Sequence, residues 1–215
     1  MPLPEPPAYD VYELERRARE FLRHHLGPDV SIPIDIELLL EKLEGVDLDH
    51  WPGLRANHGI EGMVARDPKT GELVVLIDDR IADTKPTRYR MTVAEELGHL
   101  VLHRELIDRV HSPSDFKELQ QHYRWYEMER NAKRFAAAIL MPGDLLASHT
   151  ERLYPQLVAV AGFGNAPAVL RQLAVTLAKR FEVSTQAMQY RLEEWPMRLK
   201  QRVEDAMRNR LDFLG

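Results

Sequence analysis

The spacing of apolar and polar residues predicts two helices near the start of the chain. Apolar residues recur with helical periodicity from Val11 to about Leu26, and a Gly-Pro pair ends the pattern. The segment PIDIELLLEKLEG has the same spacing, with Asp35 in the N-cap position and Gly45 as a stop signal. The segment VDLDHW, which comes next, predicts a short strand.

A hairpin follows this strand. Two β-rich runs flank the turn sequence DPKTG, in which the proline presets one dihedral angle and Gly71 accepts a positive φ. We expect strands from Gly62 to Arg66 and from Glu72 to Asp78. The rest of the chain has helical spacing, in stretches at 92–104, about 116–140, about 143–152, 167–181, 184–195 and 197–213. A small sheet surrounded by helices is an α+β architecture.

Composition narrows the class of protein. A chain of 215 residues with 44% hydrophobic content can form one well-cored domain or a domain with a helical appendage. The absence of cysteine excludes disulfides and thiolate zinc sites and favours the cytoplasm. No secretory signal and no apolar run of roughly 18 residues is present, so we expect no membrane span. The net charge is -5, yet residues 166–215 are basic.

The segment MTVAEELGHLVLH, at 91–103, is one letter away from the zinc-binding pattern H-E-x-x-H. Helix positions four apart share a face, so this pattern places two imidazoles on one metal and a general-base carboxylate beside them. Here Glu95 and His99 take the ligand positions and Glu96 takes the base position. A third ligand must come from elsewhere, and the segment EMERNAKRFAAAILMP offers Glu127 and Glu129.

Two linked segments, RYRMTVAEELGHLVLH and ERNAKRFAAAILMP, resemble the ImmA/IrrE family of bacterial and phage metallopeptidases, and the resemblance extends over about residues 9–195. The positions in register are Arg88, Arg90, Thr92, Ala94, Glu96, Gly98, His99, Glu129, Ala132, Phe135, Ala136 and Pro142. The resemblance implies a zincin-like, gluzincin-type domain in which a metal helix packs on a long second helix. By register it implies that His99 and Glu129 bind zinc and that Glu96 is the general base acting on a metal-bound water. Lys133 replaces the usual Asn.

Glu95 stands where the family has its first histidine, and two interpretations of it remain open. As a ligand it would complete a Glu, His and Glu set, which shifts the preference from zinc toward Mn or another hard cation. Alternatively, Thr92 and Glu95 form a capping box at the start of the helix. His103 and Tyr126 are secondary candidates: His103 as a packing residue or alternative ligand, Tyr126 as an oxyanion donor or half-buried core residue.

The basic C-terminal helices have a helix-turn-helix cadence, with Ser184 as the cap of the second helix. A DNA-binding interpretation would direct four side chains at base edges, namely Thr185, Gln186, Gln189 and Arg191. Packing on the main domain is the interpretation that we favour, and the sequence does not decide the oligomeric state. We predict a flexible leader at 1–8, a zincin-like domain at 9–165 and a helical region at 166–215.

The predicted function combines these observations. The resemblance implies a cytoplasmic peptidase that takes part in transcription regulation and the stress response by cleaving helix-turn-helix repressors. The altered motif predicts a weakened metal site, with a substrate strand lying beside the LVVLID segment. The alternative is a non-catalytic regulatory or DNA-linked binding module on the same fold.

Overall fold

The computed structural model describes residues 5–67, 69–109, 118–194 and 196–210. The chain divides into two compact units. The first extends up to Val30 and from Ile34 to Ile139, and the second comprises Ser31–Pro33 and the chain from Leu140 onward. The predicted domain boundary after residue 165 stays a prediction. No helix among the described residues is long and apolar enough to cross a membrane.

The first unit contains a three-stranded sheet formed by β1 (Val46–Trp51), β2 (Gly62–Arg66) and β3 (Leu73–Asp78). The strand order is β1-β3-β2, with β1 parallel and β2 antiparallel to β3. The predicted hairpin and the predicted strand VDLDHW are therefore confirmed. Because β3 is paired on both sides, it cannot accept a further strand. The expectation of a substrate strand beside LVVLID is wrong, and the free edge on the hairpin side belongs to β2.

Helices surround this sheet. Asp10 caps the first of them by accepting a hydrogen bond from the Glu13 N–H, and Gly27 ends it with a φ of 86°. The buried face of that helix carries Leu14, Ala18 and Leu22. The described helices of the unit are α1 (Val11–Leu26), α2 (Ile36–Glu41), α3 (Leu54–His58), α4 (Asp79–Thr84), α5 (Pro86–Leu102), α6 (Arg104–Ile107) and α7 (Trp125–Leu140).

The second unit contains the helices α8 (Gly143–Ala161), α9 (Ala166–Phe181), α10 (Thr185–Glu193) and α11 (Leu199–Asn209). The predicted tight turn is present: Glu182 has a φ of 52°, and Ser184 accepts a hydrogen bond from the Ala187 N–H. Arg191 is only 2% exposed and donates to the Met141 carbonyl, so it cannot face DNA bases. Residues 211–213 of the last predicted helix lie outside the described residues.

Candidate metal and peptide site

Helix α5 begins at Pro86, six residues earlier than the sequence predicts. Proline suits the first turn of a helix because its missing N–H has no partner there in any case. Thr92 consequently lies inside the helix and is buried, so it cannot serve as an N-cap. The capping-box interpretation of Glu95 is wrong. Its carboxylate is free of that local partner and lines a cavity instead.

The structure brings His99 and Glu129 together, with His99 Nε2 3.1 Å from Glu129 Oε1. The close approach of α5 and α7 depends on Gly98, because a Cβ at that position would lie 2.9 Å from the Ala132 carbonyl oxygen. Ala132 itself is fully buried. Small residues on both helices therefore set the separation at which a side chain from α5 can touch one from α7. Glu127 binds Arg124 instead, at 2.8 Å.

A cavity of about 370 Å³ opens over this pair. Four carboxylates line it, those of Glu61, Glu95, Glu96 and Glu129, together with the His99 ring and Lys133. One wall is the first half of β2, from Gly62 to Val64. Gly62 is required there because a Cβ would lie 2.6 Å from the Thr92 methyl and 3.0 Å from Glu96 Oε1.

Burial controls the charge state of the carboxylates on α5. It raises the pKa of Glu96 to about 7, because the ionised form loses its hydration and the His99 ring offsets this only partly. Burial likewise raises the pKa of Glu95, although Lys133 and Arg88 act in the opposite direction. Near neutral pH, Glu96 is therefore able both to hold and to release a proton, as a general base requires.

The His99–Glu129 pair behaves differently. Burial lowers the pKa of His99, but the hydrogen bond with Glu129 and the nearby carboxylates outweigh it, so the pKa is raised overall. Burial raises the pKa of Glu129, but the hydrogen bond and charge of His99, with help from Lys133, lower it overall. Each partner therefore stabilises the charged form of the other.

His103 lies behind His99, with their Nδ1 atoms 3.2 Å apart. Burial, followed by the charge of His99, lowers the pKa of His103 to about 3, so its ring is neutral. A neutral His103 can accept the Nδ1–H of His99 and then carries its own proton on Nε2, a buried atom without a partner among the described residues. This arrangement leaves His99 Nε2 directed at Glu129. His103 therefore orients His99 and does not share its ligand position.

The second tyrosine of the segment RWYEM does not join the site. Tyr126 is 78% exposed and does not line the cavity, so it is neither a half-buried core residue nor an oxyanion donor. Its neighbour Trp125 lines the cavity and stacks on His99, with ring centroids 6.5 Å apart and planes 13° apart. Trp125 precedes Glu129 by four residues and so shares its helix face, a spacing from which the sequence could have identified it.

The donor set fits a metal only in part. Two ligands of a tetrahedral zinc ion lie roughly 3.3 Å apart, close to the observed His99–Glu129 separation. However, no group of three or more His, Cys, Asp or Glu side chains in the described parts of the chain is arranged to hold a metal. In addition, Lys133 Nζ lies 3.7 Å from the second oxygen of Glu129. The residues therefore do not fit a three-ligand catalytic zinc site.

Comparison with known proteins identifies the family of the chain. Residues 69–193, more than half of the chain, match the family of the IrrE N-terminal-like domain, a peptidase family. The chain is also 32% identical over 163 residues to the radiation response metalloprotease IrrE of Deinococcus radiodurans, a match that covers 74% of this chain and 40% of that protein. The chain thus spans less than half the length of that relative. The match over more than half of the chain shows that it belongs to the ImmA/IrrE family of metallopeptidase-like proteins.

Proposed function

We propose that this protein is an ImmA/IrrE-type metallopeptidase-family protein with a weakened metal site, which binds a protein segment in the cavity and cleaves it slowly or not at all. The observation that carries the proposal is the position of Glu95. It stands one helical turn before His99, where the H-E-x-x-H pattern has a neutral imidazole, and it lines a cavity that already contains Glu96 and Glu129. Like charges crowd such a site, so metal binding competes with protonation of the carboxylates.

The edge of β2 supports a mode of binding for the partner. Gly62, Met63 and Val64 form one wall of the cavity, and the outer side of β2 is unpaired within the described sheet. An extended segment that pairs with this edge would run past the carboxylates with alternate side chains directed at the cavity. The family resemblance makes a helix-turn-helix repressor the leading partner. The name of the Deinococcus radiodurans relative links that protein to a radiation response.

Zinc titration of the wild type and Glu95→His tests the weakened site. We expect Glu95→His to bind zinc at least about tenfold more tightly, since it completes two imidazoles on one helix face. Glu193→His, on the exposed surface of α10 with no histidine three or four residues away, is the matched control and should bind as the wild type does. No cost at the helix N-terminus is expected, because Thr92 is not the cap. Equal or tighter zinc binding by the wild type would show that Glu95 is a competent ligand.

The second candidate function is a non-catalytic regulatory module, and the contact between Lys133 and Glu129 favours it. Lys133 already neutralises the Glu129 carboxylate that a metal would need. The cavity is therefore suited to binding a partner without catalysing a reaction. Repressor cleavage and repressor binding should be measured together, with the wild type and Glu96→Gln. Zinc-dependent cleavage that Glu96→Gln abolishes supports a slow peptidase, whereas binding by both proteins without cleavage supports the module.

A further inference from the structure

Lys133 occupies a specific place in the cavity. It follows Glu129 by one turn of α7, and its Nζ lies 3.7 Å from Glu129 Oε2. The other oxygen, Oε1, is 3.1 Å from His99 Nε2. Both oxygens of this carboxylate therefore face a positively charged or proton-donating group. A metal ion that binds Glu129 must share this carboxylate with them or displace one of them.

Lys133 differs from the other cationic side chains that line the cavity in the carboxylate with which it pairs. Arg55 and Arg88 also line it, but both pair with Glu61, at 3.1 Å and 2.5 Å. The ion pairs to the interior carboxylates of Glu95, Glu96 and Glu129 come from His99 and Lys133, and both are made to Glu129. Arg88 also acts electrostatically on Glu95, but of the described lining residues Lys133 is the permanent cation that forms an ion pair with one of these three carboxylates.

We infer that the Lys133 ammonium is a tethered cation that competes with divalent metal for Glu129, and that this contact, together with Glu95, keeps the cavity metal-poor. The inference rests on the proposed weakened metal site and names a second cause for it. The carboxylate that Glu95 adds on α5 is offset by the ammonium that Lys133 adds on α7. Lys133 therefore neutralises part of the negative charge that a divalent metal would otherwise neutralise.

The strength of the competition follows from Coulomb's law. A unit charge and a double charge about 5 Å apart repel enough, even at the dielectric constant of water, to weaken binding by about tenfold or more. The Lys133 side chain is 57% exposed and can swing toward solvent, which limits the effect to the low end of this range. Removal of the charge should therefore strengthen metal binding measurably, by about tenfold.

Calorimetric titration of the metal-free protein with zinc near neutral pH tests the inference. We expect Lys133→Asn and Lys133→Gln to bind zinc about tenfold more tightly than the wild type, whereas Lys133→Arg keeps the charge and the weak binding. Arg130→Asn is the matched control: it removes a unit charge from an exposed position of the same helix, outside the cavity. It should leave zinc affinity unchanged.

Thermal melting supplies a second measurement, which does not depend on activity. Without metal, Lys133→Asn should melt below the wild type because the carboxylates lose their cation, and added zinc should raise its melting temperature more than that of the wild type. Equal zinc affinity of the wild type, Lys133→Asn and Lys133→Gln would overturn the inference, as would an equal gain by Arg130→Asn. The weakened site itself is tested separately, by the comparison of the wild type with Glu95→His.

Discussion

A methyl group placed at Gly98 tests whether the site depends on the close approach of α5 and α7. A Cβ there would lie 2.9 Å from the Ala132 carbonyl oxygen and 3.1 Å from the Ala132 Cα. These are backbone atoms and cannot rotate away. Overpacking of this kind costs about 1–3 kcal/mol, while replacing a helical glycine by alanine returns about 1 kcal/mol of helix propensity. We expect Gly98→Ala to lose up to about 2 kcal/mol of unfolding free energy.

Urea denaturation of matched variants measures this loss. Gly164→Ala is the control, because its Cβ would meet nothing within 4 Å and its φ lies outside the left-handed region. It should gain about 0.4–1 kcal/mol by restricting the unfolded chain. Ala132→Gly should not rescue Gly98→Ala, since the clash involves the backbone of Ala132 and not its side chain.

Gly98→Ala should also change the contact between His99 and Glu129. If α5 and α7 move apart, the hydrogen bond between His99 and Glu129 weakens, and the pKa of His99 should fall because that bond helps to raise it. Titration followed by histidine NMR measures the change. A Gly98→Ala protein that is as stable as the wild type and has an unchanged His99 pKa would refute the argument that Gly98 sets the helix separation.

Two further predictions concern protonation. Because burial raises the pKa of Glu96 to about 7, the unfolding free energy of the wild type should fall as pH rises from about 4.5 to about 7, by on the order of 3 kcal/mol. Glu96→Gln should flatten that decline in urea titrations across this range, and an unchanged slope would contradict the assignment. Because the pKa of His103 is about 3, its ring should stay neutral with the proton on Nε2 at all pH values above about 4. Ring nitrogen NMR shifts check this, and titration near the ordinary histidine pKa would show that His103 is not buried as described.

Local sequence signals located most of the secondary structure. Helix α1 and the hairpin follow from caps, glycines and periodicity, and the strand VDLDHW forms β1 as expected. Sequence signals place the start of α5 too late, because Thr92 resembles an N-cap when only its neighbours along the chain are considered. Pro86 begins the helix instead, and burial of Thr92 against the sheet residue Gly62 extends it through the apparent cap.

Residue spacing alone determined that Glu95 and His99 share a helix face and that Glu129 lies on a second helix rich in small residues. Tertiary structure decided which groups meet. It brought Glu129 to His99 and Lys133 to Glu129, placed Trp125 over the site and Tyr126 in solvent, buried Arg191, and made β3 the central strand. The physical reason is the separation along the chain over which each kind of interaction acts. Caps and periodicity act over a few residues, whereas the contact between Gly98 and Ala132 and the order of the strands depend on packing between distant segments, which no local pattern encodes.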